Sequence, residues 1–121
     1  MIFQVRTDNH IRNSEELSES LRGDVEAALA PLYGERLRRV EIYLQDTNAN
    51  KGGVDIRCSI EVHLAGRPAV AVDARSDDVD TAVDGALEKV LRVLEHQLGR
   101  LEDRAGHTSA AGDEGLLGKG A

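Results

Sequence analysis

The chain is 121 residues long, one domain's worth, and carries one Phe, two Tyr and no Trp, so its core must be aliphatic. A formal net charge of −7 excludes the broad basic excess of an indiscriminate nucleic-acid binder, and a single cysteine, Cys58, excludes an internal disulfide framework. No run approaches the roughly 18 apolar residues of a membrane span; the opening Met1-Ile2-Phe3-Gln4-Val5-Arg6 lacks the layout of a secretory signal, and cytoplasm is the expected compartment.

Ile2, Phe3 and Val5 open a short β-prone segment, expected to be an edge or near-edge strand ending by Asp8. Asn13 or Ser14 can cap the helix that follows, and Asn13 with Glu16 has capping-box spacing. Leu17, Leu21, Val25, Ala28, Leu29 and Leu32 mark one side of that helix, while Glu15, Glu16, Glu19, Arg22 and Glu26 mark the other. Pro31 removes a backbone bond late in the helix, and Gly34 can end it.

After Arg36, Arg38 and Arg39 the period changes to two. Val40, Ile42 and Leu44 alternate with Glu41, Tyr43 and Gln45, as a half-buried strand requires. The turn-rich stretch from Asp46 to Gly53 leads to a longer alternation, with Val54, Ile56, Cys58, Ile60, Val62 and Leu64 predicted on one face. Ala65-Gly66-Arg67-Pro68 is a tight reversal, and residues 69–74 are expected to pair back as a hairpin, Val70, Val72 and Ala74 continuing the apolar face.

The stretch from Ser76 to Arg104 is the longest helical pattern. Val79, Val83, Ala86, Leu87, Val90, Leu94, Leu98 and Leu101 recur at three- and four-residue steps. Ser76 is expected to cap its first turn, Asp77, Asp78 and Asp80 suit the positive end of its dipole, and Arg100 and Arg104 suit the negative end. From residue 105 the pattern collapses into a Gly/Ala-rich run, so residues 1–104 are read as the domain and 105–121 as a flexible tail. The order strand, helix, three strands, helix, with a sheet apolar on one face, predicts a two-layer α+β domain. Both helices cover one face of a four-stranded sheet, with a parallel crossover between the first two strands and a meander after it.

No catalytic constellation emerges. Cys58 falls on the inward register of a strand, as an inert core thiol would. His10, His63, His96 and His107 lack metal-ligand spacing, and Asp77, Asp78, Asp80 and Asp84 are explained by a helix N-terminus without an ion. Neither cofactor nor metal is expected. Binding is left, and the basic residues gather in two places: Arg36, Arg38 and Arg39, and then Lys89, Arg92, Arg100 and Arg104. A plainer reading makes the first a solubilising segment and the second i,i+4 partners for Glu88, Glu95 and Glu102.

The element order and the final helix together resemble the ribosome hibernation-promoting factor and ribosome-associated inhibitor family, also called the ribosomal subunit interface or sigma-54 modulation protein family. The segment Asp78-Val79-Asp80-Thr81-Ala82-Val83-Asp84, continuing through Ala86, Lys89 and Arg92, carries the resemblance; Asn13-Ser14 and Glu61-Val62-His63 fit more loosely. The resemblance implies a β-α-β-β-β-α fold like a double-stranded-RNA-binding domain. It also implies a non-enzymatic translation inhibitor that occupies the small ribosomal subunit and idles ribosomes under stress. Its implied rRNA-phosphate contacts are Lys89, Arg92, Arg100 and Arg104, with Arg22 added by its place on the first helix. The chain ends before the extra C-terminal domain of long family members, so the implied protein is a short form. A second reading, from the acidic first helix, is a diverged protein-interaction module that does not bind RNA and self-associates through the sheet edge or exposed sheet face.

Overall fold

A computed structural model describes residues 1–48 and 52–106, with side chains described as far as Gln97. In chain order the elements are β1 (Ile2–Thr7), α1 (Glu15–Tyr33), a 3-10 turn (Gly34–Arg36), β2 (Leu37–Asp46), β3 (Ile56–Leu64), β4 (Val70–Ser76) and α2 (Val79–Gly106). The sheet order is β1-β2-β3-β4. β1 runs parallel to β2, and the other two pairings are antiparallel. The expected α+β architecture is thus the observed one. By contacts the chain divides into two units, Met1–Leu91 and Arg92–Ala121. The first holds the sheet, α1 and the opening of α2; the second holds the later turns of α2.

Alternation along each strand decides what the sheet buries. In β3 the buried set is Ile56, Cys58, Ile60, Val62 and Leu64, opposed across the ladder by Val40, Ile42 and Leu44 of β2 and by Val70 and Ala74 of β4. α1 covers this face with Leu21, Val25, Leu29 and Tyr33, and α2 with Ala82, Val83, Ala86, Leu87 and Val90. Full burial of one such aliphatic side chain contributes about 1.5–3 kcal/mol, so this layer dominates the fold's stability. Cys58 is part of it; burial pushes its thiol up to about 12, which keeps it protonated and unreactive at neutral pH.

Local chemistry resolves or corrects several sequence expectations. Ser14, not Asn13, caps α1: its Oγ accepts from the Leu17 N–H at 3.1 Å, while the Asn13 side chain donates to the Val5 carbonyl. Gly34 ends α1 at a positive φ of 45°, its N–H returning to the Ala30 carbonyl. Ser76 does not cap α2, because strand pairing with Ile56 carries β4 through it. The cap is Asp78, whose carboxylate accepts from both the backbone N–H and the hydroxyl of Thr81. Val54 lies before β3 and is exposed, as is Leu32, whose place in the buried stripe of α1 is taken by Tyr33. β2 also carries a bulge: Leu37 faces Leu64 and Arg39 faces His63, so Arg38 is an extra residue between two consecutive partners. The bulge lets Leu37 and Val40, three apart, both turn inward.

α2 extends two residues past the expected domain end at residue 104. The remainder of the expected tail, 107–121, lies outside the described residues, as do residues 49–51 of the β2–β3 link.

Candidate nucleic-acid interface

The first unit offers three exposed surfaces, and each has a different charge. On the helix layer Lys89 and Arg22 are exposed cations. Lys89 reaches the β4 edge of the sheet, where its Nζ donates to the main-chain carbonyl of Asp73 at 2.6 Å. Arg22 leans the other way. Its guanidinium lies 6.0 Å from the centre of the Phe3 ring on β1 and 3.7 Å from the Glu26 carboxylate one turn on. β1 and β4 are the outer strands of a four-stranded sheet, roughly 14 Å apart at the usual strand spacing. The structure therefore sets these two expected contact residues at opposite edges of the domain.

Acidic groups lie between them. Asp24 of α1 and Asp84 and Glu88 of α2 line one groove with Ala27, Ala28, Leu87 and Leu91. Partial burial raises the Asp24 carboxyl above the usual aspartate range, and the negative charges of Asp84 and Asp80 raise it further. A groove of this sign repels a phosphate backbone. No group of three or more His, Cys, Asp or Glu among the described residues is placed to hold a metal ion.

The open face of the sheet is charge-balanced. Arg39 pairs with Glu41, His63 with Glu61, Arg57 with Asp73 and Arg75 with Asp55. The hydrogen bond from Arg57 is the first cause holding the Asp73 carboxyl below its usual range. In the middle of the face a shallow pocket is lined by Arg6, Tyr43, Ser59, Glu41 and Glu61, with Arg6 stacked 5.5 Å from the Tyr43 ring.

The third surface is the end of the sheet where α1 gives way to β2. Arg36 follows Tyr33, with its guanidinium 5.7 Å from that ring. Arg38 is the bulged residue, and Arg67 lies in the β3–β4 turn. Sequence spacing alone does not join Arg67 to the other two; the pairing of β2 with β3 does.

Of the remaining residues expected to meet RNA, Arg92 is an exposed residue of α2 in the second unit. Arg100 and Arg104 lie on the same helix, but their side chains fall outside the described residues.

A family model described as sigma 54 modulation protein / S30EA ribosomal protein matches residues 7–102. Among solved structures, the chain is similar to the N-terminal domain of Protein Y from Thermus thermophilus. The TM-score is 0.61 at 19% identity, over 83% of this chain and 97% of that one. It is also similar to a ribosomal subunit interface protein from Coxiella burnetii, with a TM-score of 0.60 at 20% identity over 84% and 98% of the two chains. No curated protein sequence matches it.

Proposed function

Because the chain belongs to the sigma 54 modulation protein / S30EA ribosomal protein family, we propose that it is a cytoplasmic translation inhibitor that binds the small ribosomal subunit and idles ribosomes under stress. The match over residues 7–102, spanning every helix and strand but the first and the end of the last, carries this reading. The fold it shares with a ribosomal subunit interface protein agrees with it. The inhibitor acts by occupying space: its folded body fills a site on the subunit, and cations pair with rRNA phosphates, so shape rather than base sequence guides the fit.

Lys89, Arg92, Arg100 and Arg104 on α2, with Arg22 on α1, are the proposed phosphate partners. Lys89 has three N–H donors. One is given to the Asp73 carbonyl, which leaves two for a phosphate and fixes where they point. The test is co-sedimentation of the full chain with purified small subunits across a salt series. Pelleting at low salt that falls steeply as salt rises is the expected result, and the Lys89→Glu/Arg92→Glu double variant should abolish it. Unchanged pelleting by that variant removes both residues from the site.

A second reading is favoured by the Asp24–Asp84–Glu88 groove: a protein-interaction module on the same fold that does not bind RNA. It predicts that the wild-type chain stays in the supernatant at every salt concentration.

A further inference from the structure

We propose that the chain carries a second phosphate-binding surface, at the end of the sheet opposite the start of α2, formed by Arg36, Arg38 and Arg67 and fitted to the phosphodiester backbone of structured RNA. It rests on the ribosomal reading above and adds to it a contact that the helix layer does not provide.

Backbone pairing builds the surface. The N–H of Ala65 donates to the Arg36 carbonyl at 2.8 Å, fastening the β3–β4 turn to the 3-10 turn that precedes β2. The Arg67 N–H closes the hairpin on the Leu64 carbonyl at 3.2 Å, around Gly66 at a φ of 72°. Leu64 pairs with Leu37, so the residues on either side of Leu37, Arg36 and Arg38, sit beside the turn that holds Arg67. The bulge leaves Arg38 exposed where regular alternation from Val40 would turn it inward. Bulges commonly re-aim a side chain in this way.

The charges here are uncommitted. On the open sheet face Arg39, Arg57 and Arg75 each pair with a carboxylate, and on α1 Arg22 pairs with Glu26. Among the described residues, none of Arg36, Arg38 and Arg67 has an ion pair, and Glu35 is the one acid in the two turns. Arg36 is braced against Tyr33, which limits the ordering its guanidinium must undergo on binding. All three cations are arginine. The planar guanidinium fork matches two phosphate oxygens at once, whereas an ammonium offers a point charge. In a chain with a net charge of −7, such a patch also steers the protein, bringing this end to the RNA first.

The test compares three triple variants of the full chain in the same small-subunit sedimentation series, each checked for an unchanged thermal melt. R36Q/R38Q/R67Q should weaken binding at least tenfold at moderate salt and flatten the slope of log K against log salt by about two to three, as loss of three phosphate contacts requires. R36K/R38K/R67K should keep most of that slope while losing affinity. R6Q/R57Q/R75Q changes the net charge equally but on the sheet face, and should bind much as the wild type does. If the wild-type chain pellets and R36Q/R38Q/R67Q pellets equally, or if R6Q/R57Q/R75Q loses as much, the arginine end is overturned while the ribosomal reading stands. A wild-type chain that never pellets overturns both.

Discussion

Lys89 is tied to the main chain of Asp73, its Nζ donating to the carbonyl at 2.6 Å. The tie runs from α2 to the β4 edge and ends on a backbone oxygen, while the Asp73 carboxylate feels the lysine's charge only after that of Arg57. Asp73's own carboxylate is occupied by Arg57 at 2.7 Å. A cation held by a neutral acceptor keeps its attraction for phosphate, and a single geometry lowers the ordering cost of binding.

Replacing Lys89 with Met should separate the two roles. Lys89 is exposed, so the melting free energy should move by no more than about 0.5 kcal/mol. Binding to small subunits should weaken, and its salt slope should fall by about 0.7–0.9, the loss expected for one phosphate contact. A lysine that serves only as a tether gives the reverse pattern, a lower melt with the slope unchanged.

The start of α2 depends on Asp78. Its carboxylate takes the Thr81 N–H at 2.7 Å and the Thr81 hydroxyl at 3.0 Å, and those two bonds, the backbone one first, hold its pKa below the usual range. A carboxyl lowered by folding stabilises above its unfolded pKa, and that contribution is lost as pH falls through the folded value. Asp78→Ala should therefore melt earlier than wild type at pH 7, with the difference shrinking in acid below the ordinary aspartate range. Asp78→Asn, which still caps but carries no charge, should recover most of the loss and show less of the pH dependence. Thermal melts by circular dichroism between pH 2 and pH 7 decide it.

Much of the fold can be read from two periods in the chain. The alternation through Ile56, Cys58, Ile60 and Val62 names the buried face of β3, and the steps Leu21, Val25, Leu29 name that of α1. Element ends were harder, because pairing partners set them. Ser76 reads as a helix cap until its register with Ile56 makes it the last residue of a strand. Val54 continues the β3 alternation on paper but stands outside the pairing, 54% exposed. Leu32 and Tyr33 differ by one step of the helix, too fine a distinction for a pattern in which both are apolar. The candidate site was less legible still. Lys89 and Arg22 look like neighbours on two helices of one layer, yet one leans to β4 and the other to β1. Arg67 is brought to Arg36 by the Leu37–Leu64 pairing and by the Ala65 N–H bond to the Arg36 carbonyl, a contact between residues 29 positions apart.

Two glycines inside helices should respond in opposite ways. A Cβ on Gly23, on the exposed side of α1, meets nothing within 4 Å, so Gly23→Ala should raise stability by about 0.5–1 kcal/mol through helix propensity. A Cβ on Gly85 stands 3.3 Å from the Ala74 Cβ of β4. Gly85→Val adds that Cβ and two methyl groups beside Ala74 and should destabilise by about 1–3 kcal/mol. Chemical denaturation of both variants gives the sign directly; a stable Gly85→Val would mean that α2 can lift from β4 at little cost.

The acidic groove makes a prediction that bears on both functional readings. Its Asp24 carboxyl is hindered, its pKa raised first by burial and then by Asp84 and Asp80. A carboxyl raised by folding binds its proton more readily in the native state, so its contribution is full below the unfolded pKa and is lost as pH rises through the folded one. At neutral pH Asp24 is ionised against its neighbours and weakens the fold. Asp24→Asn should accordingly stabilise at pH 7, by an amount on the order of the 0.2–0.5 kcal/mol typical of adjacent like charges. The gain should vanish in acid well below the ordinary aspartate range, where the wild-type carboxyl is protonated in both states. Paired with the sedimentation series, the same variant tests whether the groove matters to RNA. Less negative charge between Lys89 and Arg22 should tighten binding to small subunits if the helix layer faces phosphates. Binding unchanged by Asp24→Asn but lost with Arg36, Arg38 and Arg67 would place the RNA at the arginine end, with the groove turned toward solvent.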